Sequence, residues 1–274
     1  AHDNPWELVH KVRFGQPNGE MPNGAVKGYV LKDVADILAY AQSLAPAGLE
    51  TASAARGGVL WDAWWEVNGQ AKPSTTNALY ATNPAGSTRT GADTWRCKEC
   101  HGWDYKGKDG AYGSGSHKTG FAGVWDAAQK KTVDELVAVL KDSSNSKHDF
   151  STALQPADLT DAANFLKYGL VDMSKSVDYA AKKPIGGDAT RGKSLFDGLC
   201  AACHGPDGKK LNFGTETEPE YVGTIAKDNP VEFLHKTRVG QPGSNPPMLS
   251  TLVLGWTTQQ MVDVLTYAQT LPEK

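Results

Sequence analysis

The chain of 274 residues lacks any long apolar run, and its longest apolar tracts are short pieces such as VDELVAVL at residues 133–140. A transmembrane helix needs about 20 apolar residues, so the sequence predicts none. The chain also lacks an excess of one charge, because 28 Lys and Arg against 31 Asp and Glu leave a formal net charge of −3. Nucleic acids are bound by concentrated positive charge, and the sequence therefore predicts no nucleic-acid partner.

Cysteine is scarce, and all four cysteines fall in two short motifs, CKECH at 97–101 and CAACH at 200–204. An even count permits disulfides, but disulfide pairing gives no role to the histidine that follows each pair. With 7 histidines in 274 residues, a histidine after both pairs has a chance below roughly one in a thousand. The histidines therefore belong to the motifs.

Three chemistries use two cysteines separated by two residues. A zinc site joins two such pairs that lie about 15–20 residues apart, whereas these pairs are about a hundred residues apart. A thioredoxin-like dithiol requires alternating strands and helices, which the sequence does not predict. The third is covalent haem attachment, in which two thiols one helical turn apart form thioethers with a porphyrin and the next residue offers imidazole to the iron. The motifs favour haem, with zinc as the alternative.

The sequence also repeats itself. DNPWELVHKVRFGQP at 3–17 matches DNPVEFLHKTRVGQP at 228–242, and the match continues so that Met21 aligns with Met248. Upstream of the motifs, ARGGVLWDAWW at 55–65 parallels TRGKSLFDGLC at 190–200, which aligns Asp62 with Asp197. In the second repeat the cysteine motif follows directly. In the first repeat about thirty residues, 66–96, separate the repeat from its motif, and their composition predicts an irregular loop.

With these motifs and repeats, the chain resembles the class I c-type cytochromes. The resemblance implies a mainly α fold of tandem small helical modules, each built around a covalently bound haem c. It implies two haems, with thioether bonds at Cys97, Cys100, Cys200 and Cys203. It also implies that His101 and His204 are the proximal iron ligands.

The repeats predict three segments. Residues 1–46 are a half-module without a haem motif, residues 52–171 a first cytochrome domain that contains the insertion, and residues 185–274 a second one. The last helix is predicted to begin after a cap at Thr257 or Thr258 and to end before Pro272. Aromatic residues at the same place in the three copies are predicted to pack against the first helix of each module: Tyr40, Tyr168 and Tyr267.

The distal ligand sets the potential of a haem and decides whether its iron can bind a substrate. In the last module the Gly- and Pro-rich loop GSNPPMLST presents Met248, 44 residues after His204, and we expect Met248 to be that ligand. The middle module has no methionine at that place. Its candidates are His148, 47 residues after His101 and one place before the position that aligns with Met248, and His117 in an exposed-looking Gly/Ser loop. Spacing and position in the repeat both favour His148. A third possibility is an open, five-coordinate iron.

The resemblance implies a periplasmic or otherwise exported carrier that moves electrons from a donor dehydrogenase or quinol oxidase to an acceptor oxidase or reductase, without catalytic residues. The alternative is a diheme enzyme of the peroxidase type, with the middle haem as its catalytic centre. Met21 stands in a ligand position with no motif before it. Residues 1–46 are therefore interpreted as the remnant of a third module or as a surface for docking and self-association.

Overall fold

The computed structural model describes residues 5–16, 23–43, 49–86, 89–141 and 145–274. The chain forms two compact units, residues 1–48 and residues 49–274. Both are mainly α-helical, as the sequence predicts. No helix in the described ranges is long and apolar enough to cross a membrane.

The first unit contains helices α1 (Pro5–Phe14) and α2 (Leu31–Ser43). The turn between them is tied back to α1, because the Gly24 amide donates to the Val12 carbonyl (3.1 Å) and the Tyr29 amide to the Gly24 carbonyl (2.9 Å). The repeat near the C-terminus makes the same two bonds, from Thr251 to Thr237 (3.3 Å) and from Trp256 to Thr251 (2.9 Å). The sequence repeat therefore extends to backbone hydrogen bonding. Met21 and the side chain of Tyr40 lie outside the described residues.

The second unit begins with the long helix α3 (Leu49–Val67). The first cysteine motif forms the one-turn helix α4 (Cys97–His101). In the second motif, Cys200 ends a π-helical turn and the other four residues form α9 (Ala201–His204). Its remaining helices are α5 (Trp125–Lys130), α6 (Val133–Leu140), α7 (Pro156–Asn164), α8 (Ala189–Leu195), α10 (Val222–Asp228), α11 (Pro230–Val239) and α12 (Thr258–Ala268). A two-residue antiparallel pair, β1 (Val177–Asp178) and β2 (Lys183–Pro184), joins the two halves of this unit. The described part of the insertion after Val67 holds only short 3-10 helices, at Tyr80–Thr82 and Gly91–Trp95.

One helix crossing occurs twice in this unit. α3 crosses α7 at Gly57, where a Cβ atom would lie 1.9 Å from the Asp161 carbonyl oxygen, and α8 crosses α12 at Gly192, where a Cβ atom would lie 1.9 Å from the Asp263 carbonyl oxygen. The arginine before each glycine pairs with an aspartate of the crossing helix, Arg56 with Asp161 (2.6 Å) and Arg191 with Asp263 (2.8 Å). Only glycine permits this approach, so the two crossings depend on the repeated Arg-Gly pair.

The crossings correct the predicted aromatic position. Tyr267 lies beside Gly192 and pairs with Phe196 at 5.4 Å between ring centroids, but the equivalent partner of Gly57 is Phe165, which pairs with Trp61 at 5.9 Å. Tyr168, which was predicted for this position, is 50% exposed. The two residues are three apart on nearly the same helix face, so apolar spacing alone does not distinguish them.

The halves of the second unit share a core. A single cluster of buried side chains includes Trp61 and Phe165 of the first half and Phe196 and Leu265 of the second half. Met173, from the segment that connects the two halves, belongs to the same cluster and is completely buried. The N-terminal cap of α12 is Thr257, whose hydroxyl accepts from the Gln260 amide as one half of a capping box. The division into two cytochrome domains stays a prediction.

Candidate haem sites

The first motif presents its histidine in a fixed orientation. α4 ends at Gly102, whose φ of 76° is the left-handed conformation that glycine favours. The His101 Nδ1–H donates to the Ala122 carbonyl at 2.7 Å. This bond fixes the tautomer, so Nε2 keeps its lone pair for a metal. Desolvation lowers the pKa of His101 to about 4, and the imidazole is therefore neutral, the ligating form, at neutral pH.

His148 is oriented in the same way and lies next to His101. It ends a short 3-10 helix (Ser146–His148), and its Nδ1–H donates to the Val139 carbonyl at 3.2 Å. The ring centroids of His101 and His148 lie 6.2 Å apart. A metal–imidazole bond is about 2 Å, so two rings on opposite sides of one metal ion have centroids roughly 6 Å apart. The pair fits a bis-imidazole ligand set.

The competing candidate, His117, is engaged elsewhere. Its ring stacks on Tyr112 at 5.1 Å, its Nε2 lies 3.1 Å from Arg89 Nη2, and its Nδ1 lies 3.5 Å from the buried carboxylate of Glu99. The side chain is 31% exposed, so it is half-buried and not the exposed loop residue that the sequence suggested. These contacts favour His148 over His117 without using the repeat alignment.

None of the four cysteines is in a disulfide. Desolvation raises the pKa of Cys97 to about 12 and that of Cys200 to about 11, and it also raises the pKa of Cys100. A dithiol redox centre has a lowered thiol pKa, so these values do not fit that chemistry. Within the ranges that the structure describes, which contain all four cysteines, no three His, Cys, Asp or Glu side chains converge as a metal-binding group. The zinc alternative therefore loses its geometric basis.

The second motif opens on a large cavity. Its volume is about 890 Å³, and Cys200, Cys203 and His204 line it together with Met248. Binding sites for cofactors and other small molecules typically range from about 300 to 1,000 Å³. The Met248 amide donates to Ser244 Oγ at 2.9 Å, which ties the methionine loop to its own turn. A proximal histidine and a distal methionine on one cavity fit the His/Met set that the sequence predicts.

The two motif histidines differ in the hydrogen bonding of their Nδ1 atoms. The Nδ1 of His204 is buried without a hydrogen-bond partner, whereas that of His101 is bonded to Ala122. Burial lowers the pKa of His204, so this imidazole is also kept neutral. The carbonyl that orients His101 could not have been found from the sequence, because any residue supplies one.

Sequence reasoning also missed a charged wall of the cavity. The cavity is lined by Asp62, Arg96 and Lys236, and both cations pair with Asp62. Only Asp62 had been singled out in the sequence, as a repeat position. Arg96 precedes the first motif and Lys236 lies on α11, so no local pattern joins them. His235, the neighbour of Lys236, is completely buried and structural: Tyr105 Oη donates to its Nδ1 at 3.0 Å, and its Nε2–H donates to the Gly58 carbonyl at 3.0 Å.

Comparison with known proteins gives one match. Residues 189–272 match the family model described as cytochrome c, a stretch that begins at α8 and includes His204 and Met248. No curated protein and no solved structure matches the chain. Residues 189–272, which contain the second motif and Met248, thus form a cytochrome c domain, which implies covalently bound haem c and supports an electron-carrying role in general terms.

Proposed function

We propose that the protein is a diheme c-type cytochrome that carries electrons between redox partners. The observation that carries the proposal is that each motif histidine has a second ligand in reach: His148 faces His101 at 6.2 Å, and Met248 shares a cavity with His204. When bound, haem supplies a one-electron Fe(III)/Fe(II) couple. If both ligands bind, the iron would have no open position for a substrate, which suits a carrier.

The chain's own residues would do three things in this role. Cys97 and Cys100, and likewise Cys200 and Cys203, would hold the two groups by thioether bonds. The neutral imidazoles of His101 and His204 would ligate the iron on the proximal side. The distal ligands would separate the potentials, because a His/Met haem has a higher potential than a bis-histidine haem. Electrons would then collect on the last module.

Location and partners follow from the same chemistry. Covalent haem attachment takes place in exported compartments, so we infer that the protein is periplasmic or otherwise exported. Its donor would be a dehydrogenase or quinol oxidase, and its acceptor an oxidase or reductase. Self-association through residues 1–46 stays a proposal, supported by the exposed side chains of Phe14, Val30 and Leu31. Sedimentation over a range of protein concentrations, with and without these residues changed to serine, tests it.

The test of the carrier role is paramagnetic and visible spectroscopy of the oxidised, half-reduced and fully reduced protein. We expect two low-spin haems at every stage, with no change on addition of peroxide. A high-spin signal that appears on half-reduction, together with peroxide turnover, would establish the peroxidase alternative instead.

A pair of histidine variants tests the middle ligand set. His148→Ala is expected to convert the middle haem to a high-spin form, whereas the matched control His117→Ala leaves it low-spin. The reverse pattern would make His117 the ligand, and an unchanged spectrum in both variants would mean that the middle iron takes neither.

A further inference from the structure

The cavity of the last module has a wall that belongs to the middle module. Beside its own Cys200, His204 and Met248, the cavity is lined by Trp65 and Glu66 at the end of α3 and by Arg96, the residue before the first motif. Gly243 of the methionine loop approaches Glu66 so closely that a Cβ atom would lie 3.1 Å from its Oε2. The environment of the last haem is therefore set in part by the middle module.

At this wall lies a buried cluster of three charges. Asp62, on α3, is 2% exposed. Arg96 Nε donates to Asp62 Oδ1 at 2.7 Å, and Lys236 Nζ of α11 donates to Asp62 Oδ2. Burial alone would raise the pKa of Asp62, but the charges of Lys236 and Arg96 outweigh burial and lower the pKa, so Asp62 stays ionised. Asp62 thus carries a fixed negative charge between two cations from different modules.

The two cations are only partly exposed, Lys236 to 14% and Arg96 to 21%, so water screens these charges less than it screens surface charges. The ring of Trp103, which is completely buried, lies 5.8 Å from the Arg96 guanidinium and 5.2 Å from Lys236 Nζ, close enough for cation–π attraction. The nearest further acids are Asp93, at 3.6 Å from Arg96, and Glu232, at 4.0 Å from Lys236. In such a low-dielectric setting a single charge acts over a longer distance than it does on the surface.

We propose that two charged side chains, Asp62 of the middle module and Lys236 of the last, together set the reduction potential of the haem in the last module. The inference rests on the proposed function. Oxidised haem iron carries one more positive charge than reduced iron, so a fixed negative charge at the cavity wall favours the oxidised form and lowers the potential. A fixed positive charge has the opposite effect. Asp62 and Lys236 therefore act with opposite signs.

The repeat supplies a matched control. Asp197 occupies the place of Asp62 in the last module, only three residues before Cys200, yet its side chain is 44% exposed and pairs with Lys193 at 2.5 Å on the surface. It does not line the cavity. Exposed ion pairs are screened by water and salt, so removal of this charge should have little effect on either haem.

The experiment is a spectroelectrochemical titration of the full chain, in which Met248→Ala identifies the component that belongs to the last haem. Asp62→Asn should raise the midpoint potential of that component by up to about 59 mV. This shift corresponds to a severalfold to tenfold change in the ratio of oxidised to reduced haem. Lys236→Gln should lower it, and Asp197→Asn should leave it unchanged. The visible spectra should be the same in all three, because no ligand is altered.

The outcomes are distinct. Opposite shifts in the first two variants support the proposal. Shifts of the same sign in both variants would indicate a general loosening of the cavity and would overturn the proposal. The proposal would also be overturned if neither variant shifted the potential, or if Asp197→Asn shifted it equally. Absence of a covalently bound haem at the second motif would refute the proposed function, whereas two haems with unshifted potentials would refute this inference alone.

Discussion

Two glycines show how much a single atom matters in this fold. Gly57 and Gly192 lie where one helix crosses another, and a Cβ atom at either would meet a backbone carbonyl oxygen at 1.9 Å. We expect Gly57→Ala and Gly192→Ala each to reduce the free energy of unfolding by about 1–3 kcal/mol or more, because backbone cannot move aside as a side chain can.

Chemical denaturation of the purified protein measures this effect, with Gly198→Ala as the control. Gly198 also lies in a helical turn but has no atom within 4 Å of its Cβ position, so alanine there should be neutral or stabilising by up to about 1 kcal/mol. Equal losses at Gly57 and Gly198 would mean that the close crossing does not limit stability.

Three methionines in the described residues have different surroundings. Met173 and Met261 are completely buried among apolar side chains, whereas Met248 lines the cavity with His204. Met248→Ala is expected to change the visible spectrum of the last haem and to lower its potential, since a thioether ligand raises the potential of haem iron. Met173→Leu should cost less than about 1.5 kcal/mol of stability and leave both haem spectra unchanged. A Met248→Ala protein with an unaltered spectrum would exclude the thioether ligand.

At the level of elements, α11 makes the principal connection between the halves of the second unit. His235 bonds to the Gly58 carbonyl of α3 and to Tyr105, Lys236 pairs with Asp62, and Arg238 Nε donates to the Gly169 carbonyl. Gly58 allows α11 close, because a Cβ atom there would lie 2.4 Å from Val239 Cγ1. α1 has the same His-Lys-x-Arg sequence in the first unit, where His10 is exposed.

This interface predicts a pH dependence of stability. Burial lowers the pKa of His235 to about 3 from an ordinary value of 6.5. Between these pH values the unfolded chain binds a proton that the folded chain does not, so His235 contributes a loss of stability as the pH falls from about 6.5 towards 3. The maximum slope from one such group is about 1.4 kcal/mol per pH unit.

His235→Gln removes this contribution, so its free energy of unfolding should fall less steeply between pH 6.5 and pH 4 than that of the unaltered protein. The slope is the readout, because the variant can be less stable at every pH. Parallel slopes would show that His235 is protonated as easily in the folded protein as in the unfolded chain.

The elements also show what the sequence could predict and why it failed elsewhere. The cap at Thr257 depends on a local pattern, and the structure has it. Tyr168 was assigned to a position that Phe165 occupies, because a shift of three residues keeps nearly the same helix face. The same shift removes the alignment argument for His148, whose support is now its position opposite His101. The cluster of Asp62, Arg96 and Lys236 depends on tertiary contacts between distant segments, which no local pattern encodes.

At the scale of the whole molecule, residues 49–274 are one compact unit with a core that both halves share. Small domains bury too little apolar surface to be stable alone, and a shared core supplements what each half can bury. The consequence for function is that the candidate site of the second motif includes side chains of the other half, Trp65, Glu66 and Arg96. The three-segment division, with residues 1–46 derived from a cytochrome module, remains a prediction.

The central claim is that two haem groups are covalently attached, one at each C-x-x-C-H motif. Intact mass spectrometry of the denatured protein, produced in a host that assembles c-type cytochromes, tests it most directly. We expect the mass of the chain plus two haems, and a loss of one haem when both cysteines of either motif are changed to alanine. A mass equal to the chain alone, or to the chain with a single haem, would contradict the claim.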